Sequence, residues 1–318
     1  MKLNKYKIGI IGSGNISDFH INVLKSHKNI QIESIYSKTL INAKNKAVKY
    51  NIPNFTNSFD TFINFSNYDG LLILVSPNKM FQTIKKMIPY QIPLFIEKPA
   101  ALSLFHLNEL ITLNRNYKTP NMIGLNRRYY SIIQKGISLI GNKNISSIAI
   151  EGHESYWRIK DSKKHKDIKN NWLFANSIHT IDLLSYTSNS KIKKISILNL
   201  KKNNSENNIS AIMKFKNGVL GSYNSFWSSP GQWSLKIFGN DKTVIFGPLE
   251  DGYLLDRNFV KKIIKPIKED TIYKPGFYLQ SLNFIKLMRT KKNSWPDVTI
   301  NSLVDTYTLI ENFNLKND

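Results

Sequence analysis

The chain begins with an apolar run over residues 7–11 that stops at closely spaced glycines. Helical spacing follows over 18–25, with Phe19, Ile21, Val23 and Leu24 as the apolar positions. The same alternation then repeats. Residues 30–36 read as a second strand, 41–50 as a helix, 59–65 as a short helix and 71–75 as a continuous apolar strand; 80–89 read as a helix, 94–96 as a strand, 102–114 as a helix and 122–126 as the last strand of this series. Strands and helices alternating at this spacing predict a parallel sheet with right-handed crossovers. Beyond 145 the pattern turns to a period of two: a strand over 145–151 with 154–158 continuing its edge, then strands over 195–200, 209–215, 221–226, 233–238 and 243–246. Asn217-Gly218 and Gly239-Asn240 are hairpin-turn signals between them. A helix over 171–183 interrupts this region, and amphipathic helices over 280–288 and 300–313 are expected to close back on the first domain. The polar stretch 117–120 marks a boundary, which gives expected domains of 1–120 and 121–318.

Composition narrows the class without changing that picture. A chain of 318 residues is long enough for two cores, and 41% hydrophobic with 21% charged residues is ordinary for a folded protein in water. The longest apolar run, 71–75, falls far short of the roughly 18 residues that a membrane helix needs. The basic opening at 1–5 leads into an apolar run broken by glycines, with no small-residue cleavage site after it, so a cytoplasmic protein with no membrane partner is expected. The absence of cysteine excludes disulfides, thiolate metal sites and cysteine nucleophiles, and the six histidines are too scattered to predict a metal site. The formal charge of +23 has two readings, a nucleic-acid footprint or a general drift toward lysine. Lys44, Lys86, Lys118, Lys164, Lys202, Lys262 and Lys292 are dispersed with no basic stripe among aromatics, so no nucleic-acid partner is expected. The overall positive field still draws anionic cofactors and substrates.

Candidate chemistry collects at the predicted strand ends. Gly12, Ser13, Gly14, Asn15 and Ile16 form a turn between strand and helix in which glycines let the backbone approach a pyrophosphate and the helix offers unpaired N–H groups. The third position of the dinucleotide pattern is Ser17 and not glycine, so two readings stand: a dinucleotide site, or a turn in some other α/β protein. The second strand ends in Ser37, Lys38 and Thr39, where an NAD site usually carries an acid. Two hydroxyls and a cation there suit the 2′-phosphate of NADP, with NAD as the alternative cofactor, or else make a polar loop. Ser76, Pro77 and Asn78 end the next strand, and Glu97-Lys98-Pro99 the one after. A lysine beside a cationic nicotinamide and partly desolvated has its pKa lowered toward use in proton transfer; an ion pair with Glu97 or a simple hydrogen bond is the other reading. His20, in the first turn of its helix, is a packing or capping residue or a neighbour of the cofactor.

In the second half, Arg127 and Arg128 follow the last strand of the parallel series, where an arginine grips a carboxylate or phosphate with two hydrogen bonds or forms an interdomain ion pair. The basic run 160–169 reads as a solvated loop or as a segment closing over a site. On the helix over 171–183, Asn176 and His179 stand three residues apart and project from one side, while Trp172 sits on the adjoining turn and Asp182 anchors the helix from the next. Asn176 and His179 are either a site or a buried, satisfied pair. Tyr156 and Trp172 join Arg127, Arg128 and Asn176 as expected substrate contacts.

The glycine turn, the strand ending Ser76-Pro77-Asn78, Glu97-Lys98-Pro99, Gly124-Leu125-Asn126-Arg127-Arg128-Tyr129 and His179-Thr180-Ile181-Asp182, in this order, resemble the glucose-fructose oxidoreductase, inositol dehydrogenase and MocA (Gfo/Idh/MocA) family. The resemblance implies an α/β N-terminal Rossmann domain with a parallel sheet, and an α+β C-terminal domain with an open, mostly antiparallel sheet that forms a homodimer or homotetramer interface. It implies a nicotinamide-dependent oxidoreductase acting on a small sugar-type substrate, with Lys98 and His179 exchanging the hydroxyl proton, Asn176 orienting the substrate, and a cis bond between Lys98 and Pro99. Many relatives carry an Asp four residues before the histidine and Gly two before, where this chain has Ala175 and Ser177. The Asn-Ser-Ile-His string looks like a branch linked to surface-sugar and nonulosonate pathways. A non-catalytic cofactor-binding sensor, or a glycosidase that recycles NAD, are the alternatives within the same fold.

Overall fold

The computed structural model describes residues 5–203 and 206–315, so all of the basic opening at 1–5 but Lys5 lies outside the described residues. The chain divides into two compact units, one of residues 1–124 with 277–302 and the other of residues 125–276 with 303–318.

The first unit alternates strictly: β1 (Tyr6–Ile11), α1 (Asn15–Ser26), β2 (Ile30–Tyr36), α2 (Leu40–Tyr50), β3 (Asn54–Thr56), α3 (Phe59–Asn64), β4 (Gly70–Ile73), α4 (Pro77–Met87), β5 (Leu94–Ile96), α5 (Leu104–Tyr117) and β6 (Asn121–Ile123). The strands form one parallel sheet in the order β3-β2-β1-β4-β5-β6. Every residue of β4, β5 and β6 is buried, as expected where helices cover both faces of a parallel sheet. Strand order reverses between β1 and β4, and such a sheet binds ligands at the carboxyl ends beside that reversal. Ser58 and Ser103 cap α3 and α5 by accepting from the backbone N–H groups of Thr61 and His106. The short strand β3 was not anticipated; three residues are too few to show a period. The unit also extends past the expected boundary at 120, because β6 completes its sheet.

The second unit holds α6 (Ser131–Ile140), β7 (Ser147–Gly152), α7 (Tyr156–Asp161), α8 (Lys166–Asn170), a wide π turn (Leu173–Ser177), α9 (Ile178–Ser188), β8 (Ile192–Asn203), β9 (Glu206–Phe215), β10 (Leu220–Phe226), β11 (Trp233–Gly239), β12 (Lys242–Phe246), β13 (Gly252–Leu255), β14 (Lys261–Ile264) and α10 (Lys268–Ile272). Its sheet runs β14-β13-β12-β11-β7-β10-β9-β8, antiparallel at every pairing except β7 with β10. One face packs beneath α6 and α9, while Leu198, Leu200, Ile212, Leu220 and Phe226 alternate outward on the other and are exposed. The expected strand edge over 154–158 is instead the start of α7, and part of the basic run at 160–169 is helical, capped by His165 Nδ1 accepting from the Asp167 N–H.

Two helices end the chain. Helix α11 (Phe277–Thr290) belongs to the first unit, packing on α1 through the stack of His27 on Tyr278, with ring centroids 5.1 Å apart. Helix α12 (Val304–Asn314) belongs to the second, where Tyr307 meets Phe174 at 4.9 Å and Phe313 stacks on Tyr223 at 5.2 Å. The expectation that both close on the first domain therefore holds for α11 only. Amphipathic spacing shows that a helix has a buried face, not which core receives it.

Candidate active site

The carboxyl edge of the parallel sheet is built as an anion cradle. Gly12 has φ +115°, and a Cβ there would lie 2.4 Å from the carbonyl oxygen of Leu74, so the close approach of the chain just beyond β1 and β4 admits only glycine. Gly14 is glycine for another reason. Its φ of −69° suits any residue, and a Cβ would meet nothing within 4 Å, so the absent side chain leaves open space in front of the N–H groups of α1. No side chain caps that helix end, and Gly14, as its N-cap, leaves the positive end of the dipole to a ligand. Ser17, in the third pattern position, is fully buried and turns its hydroxyl back to the Gly14 carbonyl at 2.7 Å. This donation closes the turn from inside, so glycine is not required there.

The neighbouring strand ends converge on the same edge. Ser13 Oγ donates to Ser37 Oγ at 2.8 Å, joining the glycine turn to the end of β2, while Lys38 and Thr39 are exposed. Ser76 Oγ donates to Asn78 Oδ1 at 2.8 Å at the start of α4, where Pro77 occupies the first turn. Glu97 is buried and its carboxylate meets His20 Nε2 at 3.2 Å, and His20 packs between Phe95 and Phe277 with centroids 4.9 and 4.6 Å away. His20 is thus a packing residue that engages Glu97, which directs the Glu97 carboxylate into the core. Lys98 follows at the end of β5, half-buried, and the Lys98–Pro99 bond is cis as the resemblance implies. The open floor at Gly14, the uncapped α1 and the hydroxyl-rich strand ends fit a nicotinamide dinucleotide.

In the second unit the predicted residues separate into two clusters. Arg127 Nη1 donates to Asn126 Oδ1 at 2.7 Å and lies 3.2 Å from His179 Nε2. Since a guanidinium has only donors, Nε2 must accept, which places the imidazole proton on Nδ1 and leaves the ring neutral. The guanidinium carbon sits 5.2 Å from the Trp233 ring and 5.6 Å from that of Tyr130, with the His179 ring 6.1 Å from Trp233. Burial drives the Tyr130 hydroxyl to ionise well above its ordinary range, so it stays a neutral donor to Glu250.

The second cluster centres on the π turn. Asn176 Nδ2 donates to both carboxylate oxygens of Glu154, at 3.1 and 3.2 Å, and Ser177 Oγ donates to the same group at 2.7 Å. Glu154 was not anticipated. Its only signal in the sequence is an acid just beyond a strand that proves to be central, and its partners lie 22 and 23 residues away. Arg127 Nε and Trp172 Nε1 are buried donors with no acceptor among the described residues.

Arg128 corrects an expectation. Its guanidinium donates to both oxygens of Asp182 at 2.6 and 2.7 Å, so it clamps α9 and is not turned to a substrate. Burial alone would weaken the charge on Arg128, but Asp182 more than offsets it and holds the group protonated. Asp182 anchors the helix, as expected. Tyr156 and Trp172 are half-buried at the starts of α7 and the π turn. Among the described residues no cluster of histidine and acids could hold a metal, and no helix is long and apolar enough to cross a membrane.

Residues 6–124 match the oxidoreductase family with an NAD-binding Rossmann fold, and residues 148–245 match the C-terminal domain of the same Gfo/Idh/MocA family. An uncharacterized oxidoreductase of Bacillus subtilis (strain 168), YrbE, is 24% identical over 139 residues, which span 44% of this chain and only 41% of that protein. Among solved structures, a dehydrogenase from Chromobacterium violaceum has a TM-score of 0.83 at 19% identity, covering 98% of this chain and 94% of that one. The UDP-N-acetylglucosamine 3-dehydrogenase GnnA of Acidithiobacillus ferrooxidans has a TM-score of 0.78 at 15% identity, covering 97% and 96%. At such identities these two likenesses bear on the fold alone. With both halves matched and the nucleotide cradle in place, the chain belongs to the Gfo/Idh/MocA family of oxidoreductases with an NAD-binding Rossmann fold.

Proposed function

We propose that the protein moves a hydride between nicotinamide C4 and a secondary alcohol or ketone of a sugar or sugar nucleotide, with NADP as the preferred cofactor. When bound, the nicotinamide supplies or accepts the hydride at its C4. The observation that carries the reading is Lys98: a half-buried cation on the strand next to β4, at the carboxyl edge that also holds the Gly12–Gly14 cradle. In the reducing direction the Lys98 ammonium would give its proton to the carbonyl oxygen. In the oxidising direction the neutral amine takes the hydroxyl proton. His179, neutral and held by Arg127, is the second group in this exchange, and Asn176 orients the substrate. Arg127, Tyr156 and Trp172 are its remaining contacts in this reading.

Ser37, Lys38 and Thr39 take the 2′-phosphate in this reading, since the strand end offers hydroxyls and a cation where an acid would repel it. A nucleotide-linked sugar is supported by the activity named for GnnA and by the Asn-Ser-Ile-His string at 176–179, which we assign to a branch serving surface polysaccharide or nonulosonate metabolism. The exposed apolar face of the second sheet supports a homodimer or homotetramer. The proposed compartment is the cytoplasm.

The test uses a panel of keto-sugars and UDP-sugars with NADPH and NADP. Lys98→Ala should lower turnover about 100-fold or more, the usual worth of a positioned proton donor, while NADPH affinity by fluorescence stays within about threefold. Wild-type-like turnover in this variant would overturn the role of Lys98. Cofactor binding without any oxidation across the panel would overturn the substrate class.

A further inference from the structure

We infer that Glu154 is a positioning residue that fixes the amide of Asn176 with its Oδ1 outward, so that the site offers the substrate a hydrogen-bond acceptor at that place and selects a ligand with a hydroxyl or N–H there. The inference deepens the reading above and rests on its assignment of this cluster to the substrate.

Glu154 is buried, with 7% of its surface exposed, and Ser177 has none. A carboxylate has lone pairs and no proton, so the only part of Asn176 that can face it is the NH₂ group. The chemistry of the partner therefore settles an orientation that amide geometry alone leaves ambiguous. Both carboxylate oxygens lie within 3.2 Å of Nδ2, and the 2.7 Å donation from Ser177 pins one of them, so the acid cannot swing away without breaking a buried bond. The Oδ1 of Asn176 is left with no bond to the described residues, and it is not among the buried polar atoms lacking a partner. It is an accessible acceptor. Asn176 and Ser177 stand on a π turn, a widened segment that is frequent at functional sites.

The decisive variant is Glu154→Gln. It keeps the shape, can still accept from Ser177, and offers an NH₂ that invites the Asn176 amide to flip and present Nδ2 outward. The melting temperature should shift by no more than about 2 °C, because one buried hydrogen bond replaces another. NADPH affinity should hold within about twofold, kcat should fall less than about threefold, and KM for the best substrate of the panel should rise about tenfold or more. The double variant Glu154→Gln with Asn176→Asp restores an outward oxygen and should return KM to within about threefold of wild type. A merely structural role predicts lost stability in place of this split between KM and kcat.

A substrate-free measurement separates this inference from the function it builds on. The side-chain NH₂ resonance of Asn176, assigned by its loss in Asn176→Ala, should exchange slowly with solvent in the wild type and at least about tenfold faster in Glu154→Gln. Slow exchange with no turnover on any sugar would remove the proposed substrate class and leave the orientation standing. Unchanged exchange in Glu154→Gln, or an unchanged KM where turnover exists, would overturn the inference.

Discussion

Gly12 and Gly14 share one turn, yet they are glycine for different reasons, and substitution tells them apart. At Gly12 an added Cβ collides with backbone at 2.4 Å in a left-handed conformation, so Gly12→Ala should cost about 2–4 kcal/mol and show as a lower melting temperature. At Gly14 nothing stands within 4 Å, so Gly14→Leu should melt like wild type and lose NADPH binding, because the side chain fills the ligand's place. Loss of stability in Gly14→Leu would contradict the cradle. Lys38 carries a separate prediction. Lys38→Glu should weaken NADPH by about 10- to 100-fold, the worth of one charge-assisted hydrogen bond, and leave NADH within about threefold. An unchanged preference in a fluorescence titration would return the end of β2 to a polar loop. The glycine spacing and the end of β2 were legible as local patterns, and their proposed roles rest on the tests above. Ser17 was legible as a departure, but its donation to Gly14 explains why the departure is harmless.

Helices α1 and α2 are joined by a charge cluster that titrates. Burial by itself would raise the Asp18 carboxyl, but hydrogen bonds from Lys46, Tyr50 and Lys49 outweigh it and bring its pKa to about 2, below the ordinary 3.8. A folded value below the unfolded one means that the contribution is complete above pH 4 and is lost as pH falls toward 2. Asp18→Asn should therefore remove about 1 kcal/mol at pH 7, discounted for partial exposure, and should flatten the acid limb of a stability profile measured by urea unfolding. His27, on the seam of α1 with α11, works in another window. Burial lowers its pKa from 6.5, so the unfolded chain takes the proton first and stability declines as pH drops below 6.5. These elements were well anticipated, since apolar spacing marks every helix of the first unit. The π turn was not: a helix over 171–183 has the right spacing, and only the capture of Asn176 and Ser177 by one acid gives reason for the widened segment.

At the scale of the whole molecule, one face of the second sheet exposes large apolar side chains among the described residues. Ile212 is 66% exposed, Leu198 73% and Leu200 69%, and with Leu220 and Phe226 they line the uncovered face of β8, β9 and β10. Large apolar side chains exposed among Ser and Asn on one sheet face are a recognisable association surface. In light scattering after size exclusion the protein should run as a dimer or tetramer, and Ile212→Lys should shift it toward the monomer mass by placing a charge in the apolar face. A monomeric wild type would rule this out. The charge of +23, by contrast, decides little about architecture. It sets a field that favours anionic ligands, while the lysines stay dispersed along the chain.

Local order in the sequence determined the strand–helix alternation, the parallel sheet it builds, the glycine turn and the strand ends at its carboxyl edge. Apolar periodicity and turn chemistry act over a few residues, so they can be read from one chain. Which side chains answer one another was decided only by the tertiary structure. Arg128 meets Asp182 across 54 residues, His20 meets Glu97 across 77, and Glu154 holds Asn176 across 22. A hydrogen bond is satisfied wherever folding brings donor to acceptor, and nothing in the spacing of either residue records the other. The same physics explains why Arg127 and Arg128, adjacent and chemically alike, have different roles: one is neutralised by a buried aspartate, and the other is left against a neutral histidine.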